Sequence, residues 1–392
     1  MRQFLDDSLS QIKHHDLIRR LQSVEGSQSA RIIVNGRRVV NFCSNNYLGL
    51  ANDPRLIQAA MICMQQEGFG SGAARLVCGN LAAHQRLEKK VAAFKGTERA
   101  LLFSTGYMAN VGIISALFDR RDIIFADRLN HASILDGIIL SRALLRRYPH
   151  KDMDALEKML KAAGPCGKKA IITDSVFSMD GDIAPLEKLV ELAERYDCML
   201  MVDEAHATGV LGPDGRGAVN HFGLTGRIPI VMGTFSKAVG SFGAYCCGSS
   251  ALIEYLIHKA RSFIYTTALP PAVAAAATRG LEIIEQEPQR RQQLWENTRL
   301  VREGLKRCGF NTLKSATPII PVILGDSSVA LKFSRRLFEN GIFVSAIRPP
   351  TVPAHTARLR ITVMATHTRQ DCEYLLTQME RVRSQMAVLD RP

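Results

Sequence analysis

Five polar clusters bring together acid, imidazole, hydroxyl and amine groups: Ser104-Thr105-Gly106-Tyr107, Asp127-Arg128-Leu129-Asn130-His131, Asp174-Ser175-Val176-Phe177-Ser178, Asp203-Glu204-Ala205-His206 and Gly233-Thr234-Phe235-Ser236-Lys237. Each follows directly on a short apolar run. Any one alone reads equally well as a helix cap or a surface turn; five in such a series form a set. Lys237 is an amine with Thr234 and Ser236 hydroxyls beside it. Asp203 closes an apolar run, where a carboxylate is costly unless a cation pairs with it. The turn at Gly106 opens a helix, a place suited to a phosphate. An amine for a Schiff base, a carboxylate for a protonated pyridine nitrogen and small donors for a phosphate are what pyridoxal phosphate requires.

The elements that must position this set are legible as a pattern. The runs Ala100–Phe103, Asp122–Ala126, Ala170–Thr173, Met199–Val202, Ile230–Met232 and Gly243–Cys247 are short and non-alternating. Such runs predict strands buried on both faces. Amphipathic helical patterns, such as Met153–Ala162 and Leu186–Tyr196, lie between them. This alternation predicts an α/β fold with a mostly parallel central sheet flanked by helices. Ligands of such sheets bind at the carboxyl ends of the strands. A polar helix is expected from Phe4 to about Leu21, then a strand near Arg31–Val34. Beyond Pro270-Pro271 a helical stretch, broken at Pro288, leads to strand candidates Ile319–Leu324, Phe343–Ala346 and Arg358–Thr362. The expected organisation is an N-terminal helix and strand segment (1–45), a large cofactor-binding domain (46–285) and a smaller α+β domain (286–392).

Composition narrows the function classes. The chain has 392 residues, 46% hydrophobic and 22% charged, which fits a globular protein with a large core and not a disordered or fibrous one. The net charge of +13 favours anionic partners or reflects a generally basic surface. The basic residues are spread in short pairs without interleaved aromatics, so no nucleic-acid partner is expected. The nine cysteines are odd in number and lack C-x-x-C spacing. That reads as reduced, cytoplasmic usage, with no zinc-type cluster and no metal expected. No signal peptide is visible, and Ala100–Phe118 reads as strand, turn and helix start, not a membrane span.

Two motifs are decoys. Gly68-Phe69-Gly70-Ser71-Gly72-Ala73 fits the dinucleotide fingerprint, but it follows a helical pattern (Leu56–Glu67) and the fingerprint needs a strand there. His14-His15 suggests a metal, yet adjacent side chains on a helix point apart.

Several longer motifs carry a resemblance: Asn41-Phe-Cys-Ser-Asn45-Asn46-Tyr47-Leu-Gly-Leu50, Gly70-Ser-Gly72, His84, Ser104-Thr-Gly-Tyr-Met-Ala-Asn110, Asp127-Arg-Leu-Asn-His131-Ala-Ser133, Ser178-Met-Asp-Gly-Asp182, Val202-Asp-Glu-Ala-His206-Ala-Thr-Gly209, Thr234-Phe-Ser-Lys237 and Tyr265-Thr-Thr267. Over nearly its whole length the chain resembles the α-oxoamine synthases, a branch of the fold-type I pyridoxal-phosphate transferases. The run Ala346-Ile-Arg348-Pro-Pro-Thr351-Val-Pro353-Ala-His-Thr-Ala-Arg358-Leu-Arg360 resembles the members that condense L-alanine with a pimeloyl thioester for biotin. Members using glycine with acetyl or succinyl groups, long-chain acyl condensing members, and a non-catalytic scaffold of the same fold are the alternatives.

The resemblance implies roles. Lys237 would condense with the cofactor aldehyde and then take the Cα proton. Asp203 would pair with the pyridine nitrogen, and His206 would sit near the ring's phenolic oxygen. His131 would stack on the ring; the plainer reading is a helix-start histidine with capping by Asn130 or Ser133. Gly106 and Tyr107 would give backbone N–H groups to the phosphate, joined by Ser178, Thr234 and Ser236, with a turn role standing beside this for Ser178 and Ser236. Thr267, with Thr266, would reach the phosphate of a second copy, implying a homodimer with shared sites. Arg360 would hold the alanine carboxylate with help from Asn45, while Arg19 and Thr351 would contact the acyl substrate, delivered on coenzyme A or an acyl carrier protein. Asn46, where the family more often has Asp, and Ala73-Ala74-Arg75-Leu76 depart from the pattern and bear on acyl specificity.

Overall fold

The computed structural model describes residues 1–14, 18–19 and 21–389. The chain divides into two compact units: Leu48–Ser178 with Asp182–Arg291, and Met1–Tyr47 with Met179–Gly181 and Gln292–Pro392. The N-terminal residues expected as a segment of their own are thus grouped with the C-terminal ones.

The larger unit is built on a seven-stranded sheet, ordered Arg99–Phe103, Ala244–Gly248, Ile230–Thr234, Met199–Asp203, Lys169–Asp174, Ile123–Asp127, Leu144–Tyr148. All pairings from Ile230–Thr234 onward are parallel; Ala244–Gly248 alone runs antiparallel to both its neighbours. Ile124, Ile172, Met201, Met232 and Cys246 stand in one core cluster with Ile113, Ile114, Ile134 and Ile138 of the covering helices. Burying side chains of this size contributes about 1.5–3 kcal/mol each, so the strand ends are held by a rigid platform.

The six expected runs are all strands. The seventh, Leu144–Tyr148, escapes the pattern because Arg146 and Arg147 make Leu-Leu-Arg-Arg-Tyr look like a basic surface pair. It is an edge strand paired only with Ile123–Asp127, and its charged, exposed side chains fit an edge that must not recruit another strand.

Register brings the carboxyl ends to one border of the sheet. Asp174 pairs with Asp203, Asp203 with Met232, Thr234 with Ala244, and Ala244 with Phe103. Helices begin where expected: Gly106–Leu117 is capped by Thr105, whose side chain accepts from Met108 N–H, and Met153–Lys161 by Asp152. The helix Pro54–Glu67 precedes Gly68, which removes the dinucleotide reading.

The other unit holds two small sheets. Ile319–Gly325, Ala357–Thr362 and Ser345–Ile347 form an antiparallel one, with Ala357–Thr362 central. The second contains the hairpin Arg31–Val34 and Arg37–Asn41, whose two-residue turn uses positive φ at Asn35 (49°) and Gly36 (77°). The single strand expected at Phe343–Ala346 is two. Ile342–Phe343 pairs with Arg37–Asn41, Ser345–Ile347 with Ala357–Thr362, and the chain changes sheets at buried Val344. Helices Pro288–Arg307, Ser327–Glu339 and Arg369–Leu389 contribute Val301, Leu305, Phe333, Leu337 and Leu375 to its core.

The first helix is shorter than expected, Arg2–His14. Phe4, Leu5, Leu9 and Ile12 of this helix are exposed, as are Ile18 and Leu21 beyond it, so no packed apolar face extends the helix. His15 of the His14-His15 pair and Arg20 lie outside the described residues. All nine cysteines are free. Among the described residues no helix is long and apolar enough to cross a membrane.

Candidate active site

Asp203 ends a strand that is buried from Leu200 onward and is itself 4% exposed. Two donors fix its carboxylate: Ala205 N–H to Oδ1 at 2.8 Å and Asn110 Nδ2 to Oδ2 at 2.8 Å. Asn110 reaches it from the helix Gly106–Leu117, and the same amide nitrogen also donates to Ser133 Oγ at 2.9 Å. Ser133 in turn approaches His131 Nδ1, with Oγ at 2.7 Å and the backbone N–H at 3.3 Å. A backbone N–H can only donate, so Nδ1 accepts and the neutral imidazole carries its proton on Nε2. Asp203, Asn110, Ser133 and His131 thus form one chain of hydrogen bonds.

His131 itself caps its helix, Ala132–Ser141, accepting from the Ser133 N–H, where the plainer reading expected Asn130 or Ser133 as the cap. The cap uses Nδ1 and leaves the Nε2 proton for other work. Burial lowers its pKa; Asp203 opposes that and Lys237 adds to it. The same fields reach Asp174, whose pKa is raised well above the ordinary carboxylate value by burial and then by the Asp203 charge, while Lys237 lowers it. His131, Asp174, Asp203 and Lys237 therefore share one electrostatic neighbourhood.

Lys237 lies half-buried in the turn after Ile230–Thr234, which the Gly240 N–H closes onto the Lys237 carbonyl at 3.0 Å. Thr234 Oγ1 donates to the Gly243 carbonyl at 2.8 Å, so the Ser236 hydroxyl, 2.7 Å away, donates to Thr234. Gly106 borders Thr234: a Cβ added there would meet Met232 Cε at 3.2 Å. The first turn of the Gly106 helix thus stands beside the Thr234–Lys237 turn, and orphan N–H groups at a helix start suit a phosphate. Tyr107 is exposed and donates its hydroxyl to Asp136 Oδ2 at 2.6 Å. His206 is buried just beyond Asp203, and Ser178 follows Phe177 after Lys169–Asp174. A buried, doubly held carboxylate, a half-buried amine and a helix start with hydroxyls fit pyridoxal phosphate.

Thr267 lines a small cavity with Phe103 and Ser104, at the end of the strand Arg99–Phe103. It is exposed, and its backbone bridges Ala74.

The expected substrate residues lie in the other unit. Arg360 is 6% exposed in the central strand of its sheet, donating from Nη2 to Asn45 Oδ1 at 3.1 Å and from Nη1 to Thr362 Oγ1 at 2.8 Å. Tyr47 Oη approaches the same Asn45 oxygen at 3.5 Å; burial raises its pKa to about 12 despite Arg360. Thr351 is exposed in a turn closed by its N–H onto the Arg348 carbonyl. Arg348 donates to the Ile18 carbonyl at 3.3 Å, which brings Arg19, itself exposed, next to the loop that holds Thr351.

Sequence reasoning did not single out Asn110, Ser133, Asp174 or Lys95. Asp174 stood in a strand-end cluster and was passed over for Ser178; its register opposite Asp203 is visible only once the strands are paired. Lys95 lies in the last turn of the helix Ala82–Lys95, where a cation is ordinary. It is instead buried against Glu204, with Thr208 Oγ1 at 3.3 Å, and Glu204 Oε1 accepts from Val219 N–H at 2.7 Å. This ion pair sits directly behind Asp203 in the chain.

A family model described as aminotransferase class I and II matches residues 37–379. An 8-amino-7-oxononanoate synthase of Trichlorobacter lovleyi is 51% identical over 389 residues, 99% of each chain. Among solved structures, a lysine-to-alanine variant of serine palmitoyltransferase from S. paucimobilis with a bound PLP-myriocin aldimine superposes with a TM-score of 0.93 at 32% identity, covering 98% of each chain. The 8-amino-7-oxononanoate synthase of Francisella tularensis gives 0.78 at 35% identity, covering 89% of this chain and 99% of its own. The chain belongs to the class I and II aminotransferase family, in its 8-amino-7-oxononanoate synthase branch, with the fold-type I architecture of pyridoxal-phosphate transferases.

Proposed function

We propose that this protein condenses L-alanine with a pimeloyl thioester to 8-amino-7-oxononanoate, CO₂ and the free thiol carrier, a step of biotin synthesis. The likeness to 8-amino-7-oxononanoate synthases at 51% identity over 99% of both chains carries this reading. Pyridoxal 5′-phosphate, when bound, supplies an electron sink for the charge that develops at the alanine Cα.

In this reading each residue has a physical task. Asp203, oriented by Asn110 and the Ala205 N–H, holds a proton on the ring nitrogen. Lys237 Nζ holds the cofactor and moves the Cα proton. His131, neutral with its proton on Nε2, covers the ring face and polarises the thioester carbonyl. His206 sets the charge near the phenolic oxygen. Gly106, Tyr107, Ser178, Thr234 and Ser236 receive the phosphate. The fork of Arg360, preset by Asn45 and Thr362, takes the alanine carboxylate. Arg19 and Thr351 contact the acyl chain. Thr267, exposed on its own copy, serves the phosphate of a second copy in a cytoplasmic homodimer. The domain reading, an N-terminal segment at 1–45, a large cofactor-binding part at 46–285 and a smaller part at 286–392, belongs to the same proposal.

A second reading, a longer-chain condensation, has one observation in its favour: the serine palmitoyltransferase superposes with the higher TM-score. Purified protein offered alanine, glycine and serine with pimeloyl, acetyl and palmitoyl thioesters decides between them. The first reading expects alanine with pimeloyl to win by a wide margin. A preference for serine with palmitoyl, or for glycine with acetyl, overturns it.

A further inference from the structure

We propose that His150 is a positioning residue for the cofactor site, bridging Asp127 and Asp182 and so fixing the two loops that carry His131 and Ser178. His150 lies in neither loop; it sits between the edge strand Leu144–Tyr148 and the helix Met153–Lys161. Its Nδ1 is 3.0 Å from Asp127 Oδ1 and its Nε2 is 2.9 Å from Asp182 Oδ2. With a carboxylate on each side, both nitrogens donate and the ring is an imidazolium. Burial opposes that charge, but the bonds to Asp127 and Asp182 raise the pKa to about 9.

Each carboxylate shapes the loop it belongs to. Asp127 Oδ1 also accepts from Leu129 N–H at 2.8 Å, turning the chain so that the His131 N–H meets Asp174 Oδ2 at 2.7 Å. The Asp182 carbonyl accepts from Phe177 N–H at 3.1 Å and Val176 bridges Ile183, closing the segment around Ser178 at its base. Phe177, next to Ser178, meets the His150 ring edge-on with centroids 4.4 Å apart. Lys151 repeats the link, from its N–H to Asp127 Oδ2 at 2.9 Å and from Nζ to Asp182 Oδ2 at 2.8 Å. The imidazolium, with Lys151 beside it, thus joins the two loops, as partners behind a ligand set do in metal sites.

The inference rests on the reading of His131 and Ser178 as cofactor contacts. The test titrates full-length wild type, His150→Gln, Asp182→Asn and the double variant with pyridoxal 5′-phosphate, following the visible absorbance of the bound cofactor. The unfolding temperature of each cofactor-free chain and the KM for L-alanine are measured alongside. The expected result is a cofactor Kd raised about tenfold in each single variant, by analogy with the loss of such supporting partners. The double variant should be no weaker than the singles, and the KM for alanine at saturating cofactor should change less than twofold. An unchanged Kd in His150→Gln, a double variant in which the two losses multiply, or a His150→Gln chain that no longer unfolds cooperatively overturns the positioning role. Wild type that takes up no cofactor sinks the functional reading, and this inference with it.

Discussion

Asp174 and Asp203 stand opposite each other at the ends of neighbouring parallel strands, and their carboxylates are held by different donors. Asp203 receives the Asn110 amide and the Ala205 N–H, two bonds that favour a carboxylate. Asp174 receives the His131 N–H, and burial beside the Asp203 charge pushes its pKa well up. Two like groups at one sheet border thus take different tasks by environment. Asp203→Asn is expected to lower kcat about 10²–10³-fold, the usual loss when a charge-stabilising group is removed. Asp174→Asn keeps the hydrogen bond from His131 and is expected to lose less than tenfold. Steady-state kinetics of both variants at saturating cofactor check this; equal losses would remove the division of labour.

The partner of Asp203 makes a second prediction. Asn110 Nδ2 serves Asp203 and Ser133 at once, and Asn110 Oδ1 is buried without a hydrogen-bond partner among the described residues. Asn110→Asp would set a carboxylate against Asp203 in the same space, whereas Asn110→Ala leaves Asp203 its Ala205 bond. The aspartate variant is expected to lose far more cofactor affinity than the alanine variant, by about tenfold or more, since like charges disfavour each other at short range. Absorbance titration with pyridoxal 5′-phosphate reads the difference; if alanine proves the worse substitution, the amide acts through packing instead.

The strands and their polar ends were legible because the sheet is buried on both faces, so each strand announces itself as an unbroken apolar run with chemistry at its end. Leu144–Tyr148 was not, since an edge strand shows its arginines to water. The partners were least legible. Asn110, Asp174 and Lys95 gain meaning only from the register and helix placement that bring distant segments together, and nothing in their neighbours' types signals it. Arg360 and Asn45, 315 positions apart, were paired by resemblance and meet at 3.1 Å in the structure.

His150 gives the chain a pH dependence of known sign. Its folded pKa, about 9, lies above the ordinary 6.5. A group whose folded pKa is raised stabilises the folded state fully below the unfolded value, and that contribution fades as pH rises through the folded one. Wild type should therefore exceed His150→Gln in stability by on the order of 2 kcal/mol near pH 6, with the gap closing toward pH 10. Urea unfolding of the cofactor-free chains at three pH values measures it. A gap that is constant with pH would mean that packing against Phe177, and not charge, holds the residue.

Lys95 and Glu204 form a buried pair with side chains 3% and 0% exposed. Removing one member leaves the other charge without its partner in a low-dielectric place, which costs about 3–5 kcal/mol, while replacing both with apolar groups of similar size is often neutral. Lys95→Met is expected to fall in that range, and Lys95→Met with Glu204→Leu to recover part of the loss. Recovery should be incomplete, since Glu204 also accepts the Val219 N–H. Denaturant unfolding of the three chains checks this, and a double variant weaker than the single would show that the Val219 bond outweighs the ion pair.

Arg360 offers a sharper test of substrate binding. Its guanidinium is set by Asn45 and Thr362, so the fork is oriented before any carboxylate arrives. A lysine keeps the charge but not the two parallel donors, and preset geometry is what distinguishes the two cations at a bidentate site. Arg360→Lys is expected to raise the KM for alanine about 10–100-fold, the loss of 1.4–2.8 kcal/mol at about tenfold per 1.4 kcal/mol. Its kcat should change less, and its cofactor Kd should not change, because in this reading the residue takes the alanine carboxylate and not the cofactor. Asn45→Ala should show the same pattern at smaller size, since it removes one of the partners that orient the fork while leaving Thr362 in place. If either variant instead lowers kcat with KM for alanine unchanged, the arginine acts on the reacting atoms and not on the carboxylate.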